Sequence, residues 1–302
     1  MFLNSKGILG SLFITSSFFR KVIGKTLKTL TIILSVCNNN NPVSKDAIQN
    51  TLLKAKSTLE YCSKNKTTLT ADFIPFAIQI PCPASIANCE PDNWAVRTDT
   101  TVENYSNISI STYSHIIYIL PDGCGFAGLG QVGPCIGPCK LWISSAQAYS
   151  PNVYIHELGH NMGLNHSSYN GDPYGDLSGA MGSCCSNRCY NGAHLYILDW
   201  AFPKNVYKLP LKDVTVIKLY PNEFIKIDDE MNNIYYFVQY RLRNEIDNVP
   251  PYFSDTINIY SVADGSTFTN LDFILRLFDL YTGAFNLNFI EKGNGYATIR
   301  VN

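Results

Sequence analysis

The stretch His156-Glu157-Leu158-Gly159-His160-Asn161-Met162-Gly163-Leu164-Asn165-His166 decides how the rest of the chain is read. Pro151 to Met162 has helical spacing, with a proline at its start and Gly163 as its stop. On such a helix His156 and His160, at i and i+4, share one face one turn apart. Two imidazoles placed in this way can grip one ion. Gly163 lets the backbone turn sharply after the helix, which brings His166 back as a third ligand. The chain has 302 residues and five histidines, and three of the five fall at this spacing. That concentration outweighs the plainer reading of a helix with two exposed histidines.

Three neutral imidazoles leave a dication its full charge and a fourth position open, the arrangement of a catalytic zinc site rather than a structural one. Softer sites use thiolates, and magnesium or calcium sites use oxygens, so zinc is the expected cofactor. Zinc lowers the pKa of its bound water to about 7. Glu157, beside the first ligand, is the expected general base, taking that proton and delivering it to a leaving amine. The expected activity is that of a metalloendopeptidase. Its rivals are a hydrolase of small amides and a zinc-binding adhesion or matrix-binding protein with a relic site. Glu157 speaks against the relic.

The length fits one large domain or two small ones. A hydrophobic fraction of 46% is ordinary for a globular protein. A net charge of −1 gives no reason to expect nucleic acid as a partner. Ten cysteines lie between Cys37 and Cys189, which implies disulfides and an oxidising compartment. Cys135 and Cys139 also admit a second metal site. Cys62 reads as a disulfide partner or as a latency thiolate. Cys184, Cys185 and Cys189 are expected to staple the loop that walls the pocket. Sequons at Asn65, Asn104 and Asn107 agree with secretion, whereas the one at Asn165 overlaps His166 and is expected to stay unused. Residues 1–45 are basic, with Asp46 as the first acid, and carry apolar runs from Gly7 to Phe19 and from Thr29 to Val36. Both runs are shorter than the roughly 20 residues that span a bilayer. They read as a signal peptide, an uncleaved anchor or a pro-segment.

Ala47 to Tyr61 has the apolar spacing of a helix. From Phe73 to Val132 the chain reads as short strands and turns, with Phe76 to Ile80 and Ser114 to Leu120 the best strands. Lys140 to Ser144 is a candidate edge strand that would pair with a substrate backbone. His194 to Trp200 reads as a helix. His194 reads as a structural histidine at a helix start, or as a group that donates to substrate or orders the specificity loop, and His115 reads as structural. From Asn205 onward, strands alternate with turns and neither cysteine nor histidine occurs. The expected fold class is therefore α+β. A segment of residues 1–45 precedes a zinc-binding catalytic domain over 46–203, and an all-β, sandwich-like module spans 204–302.

The pattern His156-Glu157-x-x-His160-x-x-Gly163-x-x-His166 is the metzincin motif, and Met181 is its Met-turn candidate. Taken with Gly128-Leu129-Gly130-Gln131-Val132-Gly133, Cys139-Lys140-Leu141-Trp142-Ile143, Met181-Gly182-Ser183 and Tyr190-Asn191-Gly192-Ala193-His194-Leu195, it resembles the gametolysin family. The resemblance covers Ser114 to Trp200 well and Tyr235 to Arg241 more loosely. It implies a twisted mixed sheet packed on the zinc helix. It also implies a secreted zinc endopeptidase whose partner is a protein substrate, an extracellular matrix or cell-wall glycoprotein. One departure concerns Ser183, which stands where some metzincins carry a tyrosine two residues after the methionine. Tyr174 and Tyr190 are the candidate substitutes.

Overall fold

A computed structural model describes residues 25–82, 84–106, 108–183 and 186–302. The apolar run Gly7 to Phe19, the sequon at Asn107 and the pair Cys184 and Cys185 lie outside these residues.

The first sheet is built from β1 (Lys25–Val36), β2 (Thr67–Phe73), β3 (Ile78–Ile80), β4 (His115–Leu120), β5 (Gly128–Gly130) and β6 (Cys139–Ser144). Its order is β2-β1-β4-β6-β5, with β3 also on β1. All of these pairs are parallel except β5 on β6. Helices α1 (Lys45–Ser63) and α3 (Pro151–Asn161) cover one face, and α2 (Pro91–Tyr105) covers the other. Alternation along the strands sorts their residues between the layers. Leu27, Ile33, Ile117, Ile119, Leu141 and Ile143 face α1 and α3. Leu30, Ile32, Leu34, Ile116, Tyr118 and Trp142 face α2.

This arrangement corrects the reading of residues 1–45. Thr29 to Val36, expected in a segment ahead of the catalytic domain, lies in β1, inside the first sheet between β2 and β4. A parallel strand buried on both faces is apolar without alternation, and such a run cannot be told from a leader's apolar core by composition. The stretch from Phe73 to Val132 also needs correction, because it contains α2. That helix starts on Pro91 and buries Trp94, Ala95, Thr98 and Val102. Its threonines and asparagines are weak helix formers, so its pattern is faint. Among the described residues, no helix is long and apolar enough to cross a membrane.

After α3 come β7 (Ser167–Tyr169), α4 (Gly192–Ile197), β8 (Val206–Lys208), β9 (Thr215–Leu219), β10 (Phe224–Asp229), β11 (Ile234–Arg241), β12 (Thr256–Ala263), β13 (Thr269–Leu275), β14 (Leu280–Thr282), β15 (Asn286–Gly293) and β16 (Tyr296–Val301). They form a six-stranded sheet, β7-β13-β12-β11-β10-β8, and a four-stranded sheet, β14-β15-β16-β9. The two share a core of Ile225, Ile227, Val238, Ile257 and Ile259 against Leu219, Leu287, Phe289 and Ile299. The other face of the six-stranded sheet packs Phe224, Phe237 and Tyr260 with Ala193 of α4. The expected divide at residues 203 and 204 is not clean, since β7 leaves the loop after α3 and pairs with β13.

Among the described residues, four disulfides pair Cys37 with Cys82, Cys62 with Cys189, Cys89 with Cys124 and Cys135 with Cys139. Cys135 and Cys139 therefore do not form a second metal site, and Cys62 is no latency thiolate. Cys189 does hold the loop near the pocket, by tying it to α1.

Candidate active site

Helix α3 is buried from Asn152 to Asn161, so the backbone that carries its two histidines is held by packing. Met162 N and Gly163 N cap its last carbonyls, and Gly163 takes a φ of +95°, which a side chain would resist. The chain reverses there and Leu164 N donates to Gly159 O at 3.0 Å. This turn returns His166 to the helix. Ligand-capable nitrogens of His156, His160 and His166 all lie within 4.8 Å of one another.

The donor set fits zinc. Nδ1 of His156 donates to Ala180 O and Nδ1 of His160 to Leu164 O, both at 2.8 Å. Each bond leaves Nε2 as the free lone pair. Two ligands about 2.0–2.1 Å from one zinc at the tetrahedral angle are about 3.3 Å apart. Nε2 of His160 and Nε2 of His166 are 3.0 Å apart. Burial lowers the pKa of His156 to about 3, helped by the neighbouring His160, and that of His166 to about 4. Burial also lowers that of His160. All three are thus neutral at ordinary pH, as metal ligation requires.

Glu157 is buried beside the pair, and burial pushes its carboxyl up to about 8. A dication nearby would pull it the other way. Its side chain fits because β5 is glycine-rich on this side. A Cβ on Gly128 would lie 2.4 Å from Glu157 Oε1, and one on Gly130 3.0 Å from Oε2. Met181 is fully buried under α3, so close that a Cβ on Gly159 would lie 2.4 Å from its sulfur. Arg188, also buried, donates to Leu177 O and Ser183 O on either side of the Met181 turn. A cleft of about 550 Å³ runs over these groups, lined by Gly128, Leu129 and Gly130 on one side and by Tyr174, Gly182 and Ser183 on the other.

Residues 26–215, more than half of the chain, match the family model described as Gametolysin peptidase M11. The chain belongs to this family. Among curated proteins, an autolysin of Chlamydomonas reinhardtii is 31% identical over 96 residues. That match takes in 30% of this chain and spans only 15% of the autolysin's length. Two solved structures show weaker likeness. One, described as a chaperone-substrate complex, has a TM-score of 0.40 at 22% identity, covering 56% of this chain and 29% of that one. The other, metalloproteinase-II from Bacteroides fragilis, has a TM-score of 0.38 at 13% identity, covering 60% and 54%. At such scores neither bears on the argument.

In this gametolysin-family chain the two tyrosine candidates part company. Tyr174 lies at the cleft, its ring centroid 4.0 Å from that of His166. Tyr190 is fully buried beside Met181, does not line the cleft, and donates to Ile155 O at 2.7 Å. His115 is buried at the start of β4, away from the cleft. Asn165 lines the cleft with its side-chain amide already donating to Thr267 Oγ1 at 2.7 Å. Sequence reasoning left out Thr267 altogether, and the sheet edge proves to be β5, with β6 enclosed between β4 and β5. The Gly128-x-Gly130 spacing was the available signal for β5, since two glycines one residue apart mark a close approach on one strand face.

Proposed function

We propose that this chain is a zinc-dependent endopeptidase in which His156, His160 and His166 hold the ion and Glu157 is the general base. The observation that carries the reading is the convergence of three neutral imidazoles and one buried carboxyl on a cleft beside a sheet edge. Zinc, when bound, supplies the Lewis acid that activates a water and polarises the scissile carbonyl. Glu157, pressed against β5, takes the proton of the attacking water and passes it to the leaving amine. Ala180 O and Leu164 O orient the imidazoles of His156 and His160. Met181 is the apolar floor of the site.

The substrate lies extended along β5, whose outer edge has no sheet partner among the described residues. This replaces Lys140 to Ser144 as the pairing edge. Four disulfides support a secreted protein, because such bonds persist in oxidising compartments. Kinship with the gametolysin family supports an extracellular matrix or cell-wall glycoprotein as substrate. The first sheet and α3 form a metzincin-like catalytic unit, and the two C-terminal sheets pack as a β-sandwich.

The test is a comparison of products. The zinc-loaded full chain is expected to cut a long unstructured polypeptide at internal bonds, and a chelator should stop it. Hydrolysis confined to short amides or terminal residues would overturn the endopeptidase reading.

A further inference from the structure

The third histidine differs from the first two in how it is held. His156 and His160 ride on a buried helix, whereas His166 sits on an irregular segment that is secured from the C-terminal sheets. Asn165 N donates to Thr267 O at 3.2 Å, and Asn165 Nδ2 donates to Thr267 Oγ1 at 2.7 Å. One residue on, Thr269 N donates to His166 O at 3.2 Å. Next, β7 runs parallel to β13, with Ser167 opposite Thr269. Behind this junction buried Asn191 donates through Nδ2 to Ser167 Oγ and Thr269 Oγ1, both at 3.0 Å. The turn between β12 and β13 is itself braced by α4, since His194 Nε2 lies 3.1 Å from Thr267 O, which can only accept. Thr267 thus receives hydrogen bonds on both its carbonyl and its hydroxyl, from the metal loop and from α4.

We propose that Thr267 is a positioning residue for the third metal ligand, acting through Asn165, so that the C-terminal sheets complete the metal site. The inference rests on the reading of His166 as a ligand. Its logic is that of an outer-shell contact. The ligand's own ring needs a fixed backbone, and groups that fix it change metal affinity by about 10- to 100-fold when removed. A C-terminal module that carries neither histidine nor cysteine nevertheless sets the reach of the ion's third partner.

The test uses the full chain and reads zinc affinity by competition with a chromophoric chelator. Thr267→Val removes the acceptor and keeps the shape, whereas Thr267→Ser keeps the hydroxyl. Thr267→Val and Asn165→Ala are each expected to weaken zinc binding about tenfold, and Thr267→Ser to bind as the parent does. The double variant should be no weaker than the worse single one, because the two residues act through one contact. Thermal unfolding of the zinc-free variants should fall by no more than a few degrees, about what the loss of one hydrogen bond costs. Parent-like zinc affinity in Thr267→Val, or losses that add in the double variant, would overturn the inference. A loss of affinity that merely tracks zinc-free stability would do so as well. His166→Ala separates the two levels. If it binds zinc like the parent, the ligand assignment itself is wrong; if it loses zinc while Thr267→Val does not, only the positioning role fails.

Discussion

At the scale of single residues, the cluster of three histidines was legible because its residues are local. His156, Glu157, His160, Gly163 and His166 stand within one helix and one turn, and spacing alone places them. Met181 was legible as a methionine at a suitable distance, although its packing under Gly159 was not. Thr267 was invisible, because its partner Asn165 is 102 residues away in sequence. His115 offers a test at this scale. It is buried at the start of β4, and burial, with Lys25 nearby, lowers its pKa from 6.5 to about 4. Above 6.5 the folded and unfolded chains both leave it neutral. As pH falls toward 4 the unfolded chain takes up a proton that the folded chain refuses, so stability declines. The loss approaches 1.4 kcal/mol per pH unit, roughly one proton's worth. Denaturant midpoints measured between neutral pH and about pH 4.5 should fall less steeply in His115→Gln than in the parent. Parallel slopes would show that His115 is not the group that titrates.

At the scale of elements, α1 and α3 were legible from their apolar spacing and stops. Two other elements were not. The strand β1 was hidden because burial on both faces erases alternation, and α2 because its threonines dilute a helical pattern built on few apolar residues. The short β5 shows how an element can act on the site without any functional group. Its glycines let the strand lie against Glu157, and a methyl at residue 128 would meet Oε1 at 2.4 Å and Cγ at 2.8 Å. The side chain of Glu157 must then rotate. Gly128→Ala is expected to keep its zinc and to lose about 100-fold in kcat, the usual cost of misplacing a reacting group by about 1 Å. Metal content and steady-state kinetics check this together. An unchanged kcat would mean that Glu157 has room to give way.

At the scale of the whole molecule, the all-β character of the C-terminal part was legible from its strand and turn rhythm. Its interlock with the first part was not. Pairing of β7 with β13, and hydrogen bonds such as Arg241 to Ser178 O at 2.6 Å, are long-range contacts that no local pattern announces. The buried ion pair of Arg241 and Asp247 belongs to the same junction, with Asp247 also accepting from Cys189 N at 2.9 Å. The disulfide from Cys62 to Cys189 closes the same region from the other side, across a sequence separation of 127, against 4 for Cys135 to Cys139. Loop-closure entropy makes the long link worth about 5 kcal/mol and the short one about 2 kcal/mol. Cys62→Ser with Cys189→Ser should therefore lower the denaturant midpoint well beyond Cys135→Ser with Cys139→Ser. Equal shifts would contradict that account. The central claim is that the ion held by three histidines and the carboxyl of Glu157 together cut peptide bonds. Its most direct test compares the zinc-loaded parent with Glu157→Gln, reading zinc content and cleavage of one long unstructured polypeptide in the same samples. The account predicts equal zinc in both and cleavage by Glu157→Gln about 100- to 10,000-fold slower; equal cleavage by both, or none by the fully zinc-loaded parent, would contradict it.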